Sequence, residues 1–228
     1  MKKKLFASLL VSSAVVGASL APLSAQAVTT GNTPVQVEFG GGKLPDGDSI
    51  NSNTKDPDPN ASNTDFDLLY IPEMISFQKK MISDDLSAIS SVSTAVYGVG
   101  DLRGTKEGWH VTATIPEMTN GEEKLTGTFS FTQTGYVEVY NETTNTFSGL
   151  GGDVFKNNPA APEFPATGSI VIGGGAALVG NAVSGKGQGM WHSLMDNKRL
   201  NITTPYQQIK AGTYTGNITW NLVAGPSI

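Results

Sequence analysis

The amino-acid sequence predicts an all-β protein, a single-domain antiparallel β-sandwich. Short runs alternate apolar and polar residues, most plainly Trp109-His110-Val111-Thr112-Ala113-Thr114-Ile115. These runs are separated by turn-forming residues in a chain with 27 glycines and 12 prolines. Nothing in the spacing shows the strand–helix–strand rhythm of a parallel sheet.

The elements follow in order along the chain. Lys2, Lys3 and Lys4 precede an apolar stretch from Leu5 to Leu20, broken only by small residues, and Pro22 ends it. Ser24-Ala25-Gln26-Ala27 then has the small-x-small pattern of a signal-peptidase site. Residues 1–27 are therefore expected to be a cleaved export signal, leaving 28–228 as the mature domain. The apolar run is short for a bilayer core of about 30 Å, which argues against a retained membrane anchor. Val35-Gln36-Val37-Glu38-Phe39 alternates as a first strand, ended by Gly40-Gly41-Gly42. Residues 43–65, centred on Asp56-Pro57-Asp58-Pro59-Asn60, have the composition of a flexible, disordered polar loop that adds nothing to a core.

Strands are expected next at Leu68–Ile71, continuing to Ile75–Phe77, and at 94–99, with 83–93 the one place suited to a short helix. Trp109–Ile115 is the clearest strand. Thr128–Thr132 and Tyr136–Tyr140 suggest the two arms of a hairpin, and Ser169–Ile172 and Leu200–Thr203 shorter strands. Tyr214 to Leu222 alternates over the greatest length, with Gly225-Pro226 as its stop.

Charge and chemistry narrow the function classes. Of 15 basic and 20 acidic residues, three lysines and no acid lie in residues 1–27, so the mature chain carries 12 against 20, a net charge near −8. Nucleic-acid phosphates and anionic lipid would be repelled, and no later segment is apolar enough for membrane insertion after signal cleavage. The absence of cysteine removes thiol nucleophiles, disulfides and thiolate metal sites. No nucleophile elbow, paired-histidine metal motif or phosphate loop occurs. His110 and His192 each adjoin a tryptophan, and an exposed strand histidine accounts for His110 better than a catalytic base. Asp46, Asp48, Asp56 and Asp58 supply oxygen ligands without the spacing of a calcium loop. The expectation is a protein that is not an enzyme, with no catalytic residues, no metal and no cofactor.

Two tryptophan strands remain: Gly108-Trp109-His110-Val111, preceded by Asp101-Leu102-Arg103-Gly104, and Thr219-Trp220-Asn221-Leu222, preceded by Tyr214 and Gly216. Alternation puts the aromatic and the aliphatic residue of each motif on one face, as core packing or as a binding platform. With these motifs the chain resembles the WxL-domain surface proteins of low-GC Gram-positive bacteria, with Val111 where the upstream motif has leucine. The resemblance extends over the whole mature chain. It implies a secreted protein held at the cell wall and cell surface by non-covalent attachment to peptidoglycan. Alternatively, it implies a subunit of a surface complex held through partners, among them WxL-interacting proteins. The motif residues Trp109, Val111, Trp220 and Leu222 are the binding candidates it carries over, with Asp101, Arg103, Gly104 and Tyr214 in support. The end of the sequence, Gly225-Pro226-Ser227-Ile228, has no apolar anchor, so binding is expected to provide retention.

Overall fold

The structure is a computed structural model and describes residues 32–51 and 53–227. The export signal expected over residues 1–27 lies outside the described residues. Backbone contacts separate the chain between Glu38 and Phe39. Residues 32–38 carry no strand, contrary to the first one expected, and Val35 and Val37 are 98% and 73% exposed. Alternation alone does not make a strand; a partner must supply the ladder of hydrogen bonds.

From Phe39 onward the protein is almost entirely β, and the strands run as follows: β1 (Asp48–Ser49), β2 (Thr54–Lys55), β3 (Phe66–Pro72), β4 (Ile89–Ser90), β5 (Val96–Asp101), β6 (Trp109–Thr114), β7 (Thr119–Asn120), β8 (Glu123–Lys124), β9 (Gly127–Asn141), β10 (Thr146–Leu150), β11 (Thr167–Val171), β12 (Ala177–Ala182), β13 (Gly189–Ile202) and β14 (Thr219–Ala224). One helical turn, α1 (Asp153–Lys156), lies between β10 and β11.

The antiparallel pair β9 and β13 forms the spine of the large sheet, with partners from Trp191↔Val137 to Ile202↔Gly127. Each spine strand is longer than its neighbours, so two shorter strands follow one another along its outer side. β11 and β10 flank β9, while β4 and β5 flank β13. β3 and β2 extend the sheet beyond β5, and β1 adds in parallel to β10. The small sheet has the order β12-β6-β14, all antiparallel. A two-stranded piece, β7 with β8, completes the set.

The main core fills the space between the sheets. Phe129, Phe131, Tyr97, Val99, Trp191 and Met195 come from the large sheet, and Trp109, Val111, Ala113, Val179 and Ala182 from the small one. Polar groups inside it are paired. The Tyr97 hydroxyl donates to the Val179 carbonyl at 2.7 Å, Gln133 Nε2 donates to the same carbonyl at 3.0 Å, and the Ser193 hydroxyl donates to Gln133 Oε1 at 2.9 Å. Burial pushes the Tyr97 phenol well above its usual range, so it remains a donor.

The far face of the large sheet is covered as well. Leu44, Leu69, Tyr70, Val96 and Phe147 form a second cluster there. The 43–65 segment therefore does contribute to a core, contrary to its composition. Leu44 is 1% exposed, its N–H donates to the Thr64 carbonyl at 2.7 Å, and β1 and β2 both form within the segment. One apolar residue at the right place suffices, because the rest of the segment passes over the sheet edge in water.

Other expectations also change. The proposed hairpin over 128–140 is one continuous strand, β9, because Gln133-Thr134-Gly135 lies in the ladder rather than in a turn. Gly135 is there for space: a Cβ would meet the Phe155 ring at 2.3 Å. The strand expected at Leu200–Thr203 is the end of the 14-residue β13, which stops at Ile202. The last strand is six residues, not the longest, since residues 211–218 are irregular apart from the Thr119↔Thr215 bridge. No helix forms in 83–93, which instead contains β4.

Beneath the second cluster lies a polar pair. The buried Glu138 carboxyl contacts His192 Nδ1 and accepts from the Tyr70 hydroxyl at 2.9 Å, while Tyr136 stacks on His192 at 4.6 Å. Burial, and then the neighbouring Glu138, push the Tyr70 phenol upward. Removing His192 leaves the buried Glu138 carboxyl with the Tyr70 hydroxyl as its one remaining side-chain partner, which costs more than removing both. His192→Leu is expected to destabilise by about 3 kcal/mol. The double variant Glu138→Leu/His192→Leu should lose less than that single variant in urea denaturation; equal or greater loss would show that the pair does not act as a unit.

Candidate functional site

The connection from the large sheet to the small one is built by Asp101, Arg103 and Gly104. Asp101 ends β5 and is buried. Arg103 Nε donates to Asp101 Oδ1 at 2.9 Å and Nη2 to Oδ2 at 2.8 Å, a bidentate pair. Nη2 also donates to the Gly108 carbonyl at 3.1 Å, Nη1 bonds Glu107, and the guanidinium lies 3.7 Å from the Phe66 ring centroid. The bond to Asp101 pushes the guanidinium further up, so it stays charged. This side chain thus fastens the end of β5 to the residue just before β6. Gly104, at φ +78°, turns the backbone between them. These three residues shape the crossover.

The two tryptophan motifs become neighbouring strands. β6 and β14 pair so that Val111 faces Leu222, Trp220 faces Ala113 and Trp109 faces Ala224. The aliphatic positions meet at the centre, and the tryptophans lie toward opposite ends of the pair. They therefore do not form a joint aromatic platform.

Their environments differ. Trp109 and Val111 are 0% exposed, and Trp109 Nε1 donates to the Gly187 carbonyl at 3.0 Å. Trp220 and Leu222 are half-buried, with Trp220 tilted against Tyr97 at 4.8 Å between ring centroids. β14 is an edge strand, so its inward side chains are covered on one side only. Tyr214 lies in the irregular stretch before β14, half-buried, its hydroxyl accepting the Lys210 N–H at 3.1 Å. Trp191 belongs to the same core as Trp109: its Nε1 donates to that same Gly187 carbonyl at 2.9 Å.

Alternation sends the other half of each motif outward. His110, Thr112 and Thr114 of β6, Thr219 and Asn221 of β14, and Asn181 of β12 share the outer face of the small sheet. His110 Nδ1 bonds the Gly225 carbonyl at 2.8 Å, which holds the ring flat at the sheet's end. None of these six residues is a carboxylate, lysine or arginine. Leu178, opposite Thr112, and Val223, opposite His110, share this face, and Glu163 pairs with Asn181 at its rim, so in a chain of net charge −5 it is a mostly uncharged surface of hydroxyls and amides around two aliphatic side chains. The signal for it was the polar half of the same alternation that marks the core. Asn181 escaped because β12 follows three glycines and looks like a simple apolar run.

An open groove of about 660 Å³ has Lys43, Asp46, Tyr140, Glu142 and Met190 in its lining, and no motif residue is part of it. Among the described residues no cluster of histidine and carboxylates is arranged to hold a metal, and no helix is long and apolar enough to cross a membrane.

A family model described as WxL domain, surface cell wall-binding, matches residues 26–226. The chain belongs to the WxL-domain family. It is therefore a domain of the cell-wall-binding surface class. No curated protein and no solved structure matches the chain.

The contrast between the tryptophans is measurable. Trp109→Ala opens a cavity at a fully buried site and is expected to cost about 3–5 kcal/mol. Trp220→Ala, at a half-covered edge, should cost less than half as much. Denaturant midpoints of the two variants test this; equal losses would show that Trp220 is as deeply anchored as Trp109.

Proposed function

We propose that this protein is secreted and attaches non-covalently to peptidoglycan, without catalysis, through the outer face of the small sheet. The observation that carries the reading is the chemistry of that face in a cell-wall-binding family. Thr112, Thr114, Thr219 and Asn221 offer donors and acceptors beside the aliphatic Leu178 and Val223, while His110 and Asn181 bond the Gly225 carbonyl and the Ser227 N–H at one end. Saccharide hydroxyls and peptide amides form hydrogen bonds with such groups without needing charge. The residues carrying the face are held by a core that does not have to reorganise, so little ordering cost accompanies binding.

Electrostatics adds a direction. An acidic protein approaching an anionic wall is repelled at long range, and salt shortens that repulsion to about a Debye length of 8–10 Å. Attachment by uncharged hydrogen bonds should then strengthen with moderate salt.

Co-sedimentation of the chain with protein-free peptidoglycan across a salt series tests the reading. The bound fraction is expected to hold or rise between low and physiological salt, and Thr112→Ala/Asn221→Ala should weaken binding about tenfold with an unchanged melting temperature. Retention in the supernatant would instead favour attachment through a partner surface protein. Loss of binding on adding salt would point to a cationic partner.

A further inference from the structure

We infer that the segment Val35–Phe39 is a donor strand that completes the small sheet of a second copy of this chain along the open edge of β14. Three independent features of the molecule meet in this inference.

The first is the segment itself. Val35, Val37 and Phe39 alternate with Gln36 and Glu38, the pattern of a strand with one apolar face. Their side chains are 98%, 73% and 86% exposed, and residues 35–39 pair with no strand among the described residues. Three large apolar side chains at alternate positions in water are a face without a partner.

The second is the acceptor. β14 pairs with β6 on one side, and no described residue pairs with its other side. Edge strands in soluble proteins are guarded by lysine, glutamate, proline or a bulge. Here the stretch from Ala211 to Ile228 contains no charged residue, and its pairing with β6 runs through six residues without a shift in register. Trp220 and Leu222 point inward yet remain half-covered, because the sheet ends before it closes over them. One more strand with apolar residues at alternate positions would lay Val35, Val37 and Phe39 beside them and put Gln36 and Glu38 on the polar outer side.

The third is the hinge. Gly42 is fastened by its N–H to the Leu102 carbonyl at 2.8 Å, while Gly40 has no atom within 4 Å of where a Cβ would lie. Gly40-Gly41-Gly42 thus separates a rooted point from a segment free to redirect, the arrangement that permits exchange of an element between copies.

The occupant is a second copy because each chain carries one unpaired donor and one unpaired acceptor, so reciprocal exchange satisfies both at once. Area favours the same answer. One five-residue strand covers less than the roughly 1,200 Å² of a stable interface, and a closed two-fold exchange contributes two. This goes beyond wall attachment and does not depend on it.

The test uses the absence of cysteine. Single variants Gln36→Cys and Asn221→Cys, carrying tags of different size, are mixed and treated with a short bismaleimide, alongside sedimentation velocity of the unaltered exported chain over a concentration series. The expected result is a mixed covalent dimer and a concentration-dependent dimer peak. Val35→Asp/Val37→Asp should reduce both at least tenfold without moving the melting temperature, since these side chains are exposed. A monomer at every concentration with no mixed product overturns the inference. So does linkage that forms only within one chain when the two cysteines are combined in a double variant, which would put the strand on its own edge. Linkage unaffected by the aspartates would likewise overturn it, as random collision.

Discussion

One carbonyl oxygen joins the two sheets through a buried tryptophan of each. Gly187 accepts from Trp109 Nε1 of the small sheet at 3.0 Å and from Trp191 Nε1 of the large sheet at 2.9 Å. Each indole must bury its N–H to place its ring in the core, and an unpaired N–H there costs about 1–3 kcal/mol. A single acceptor with two lone pairs answers both, provided the backbone comes within 3 Å of two large rings. Only glycine allows it: at φ +82° a Cβ would lie 2.4 Å from Trp109 Nε1 and from the Ala182 Cβ. The loop is held in turn by the Gly187 N–H, which donates to the Ala160 carbonyl at 2.7 Å. Phe164 fills the space beside it, 6.4 Å from Trp109 and 5.9 Å from Tyr97 between ring centroids.

That constraint separates what the family motifs do for the fold from what they do for the surface. In Trp109-His110-Val111 the outer letters are core and the middle one faces out; in Trp220-Asn221-Leu222 the same alternation applies at an edge. Val111 and Leu222 are direct cross-strand partners, so the motifs are two halves of one packing unit. Asp101 and Arg103 serve that unit from the other end by fixing where β6 begins. A motif that builds a sheet also decides what the sheet's other face can be, because each inward residue fixes an outward neighbour.

The sequence made β6 legible because one of its faces is dry and the other wet, which yields strict alternation. The fold class followed from that signal and from the spacing of turns. The spine strands were harder to read for the opposite reason. β5 is buried throughout and β13 is covered irregularly, so no single period marks them, while β9 alternates over its first nine residues and loses the period beyond Gly135. Gly135 in the middle of β9 mimicked a turn, and Gly100 lies inside β5, just past the strand expected at 94–99. A Cβ on Gly100 would meet Leu44 at 2.4 Å. That contact joins residues far apart in sequence, and neither glycine nor leucine announces it. The candidate surface was half legible: the polar alternation of β6 and β14 was visible, but their adjacency and the third strand, β12, came only with the fold.

A core of this kind bears on how a mostly uncharged face would serve the proposed attachment. Hydroxyl and amide contacts are individually worth about 0.5–1.5 kcal/mol, and each is easily lost to the entropy of ordering the groups that make it. A sheet of three strands would be too pliant to offset that by itself. Here the inner face of the small sheet is clamped through Trp109 to Gly187 and through Tyr97 and Gln133 to the Val179 carbonyl. The outer threonines and asparagines are therefore pre-positioned by bonds made on the opposite side of their own strands. In the proposed attachment the tryptophans hold still the residues that face outward between them, and a variant that loosens Gly187 should weaken a surface it never touches.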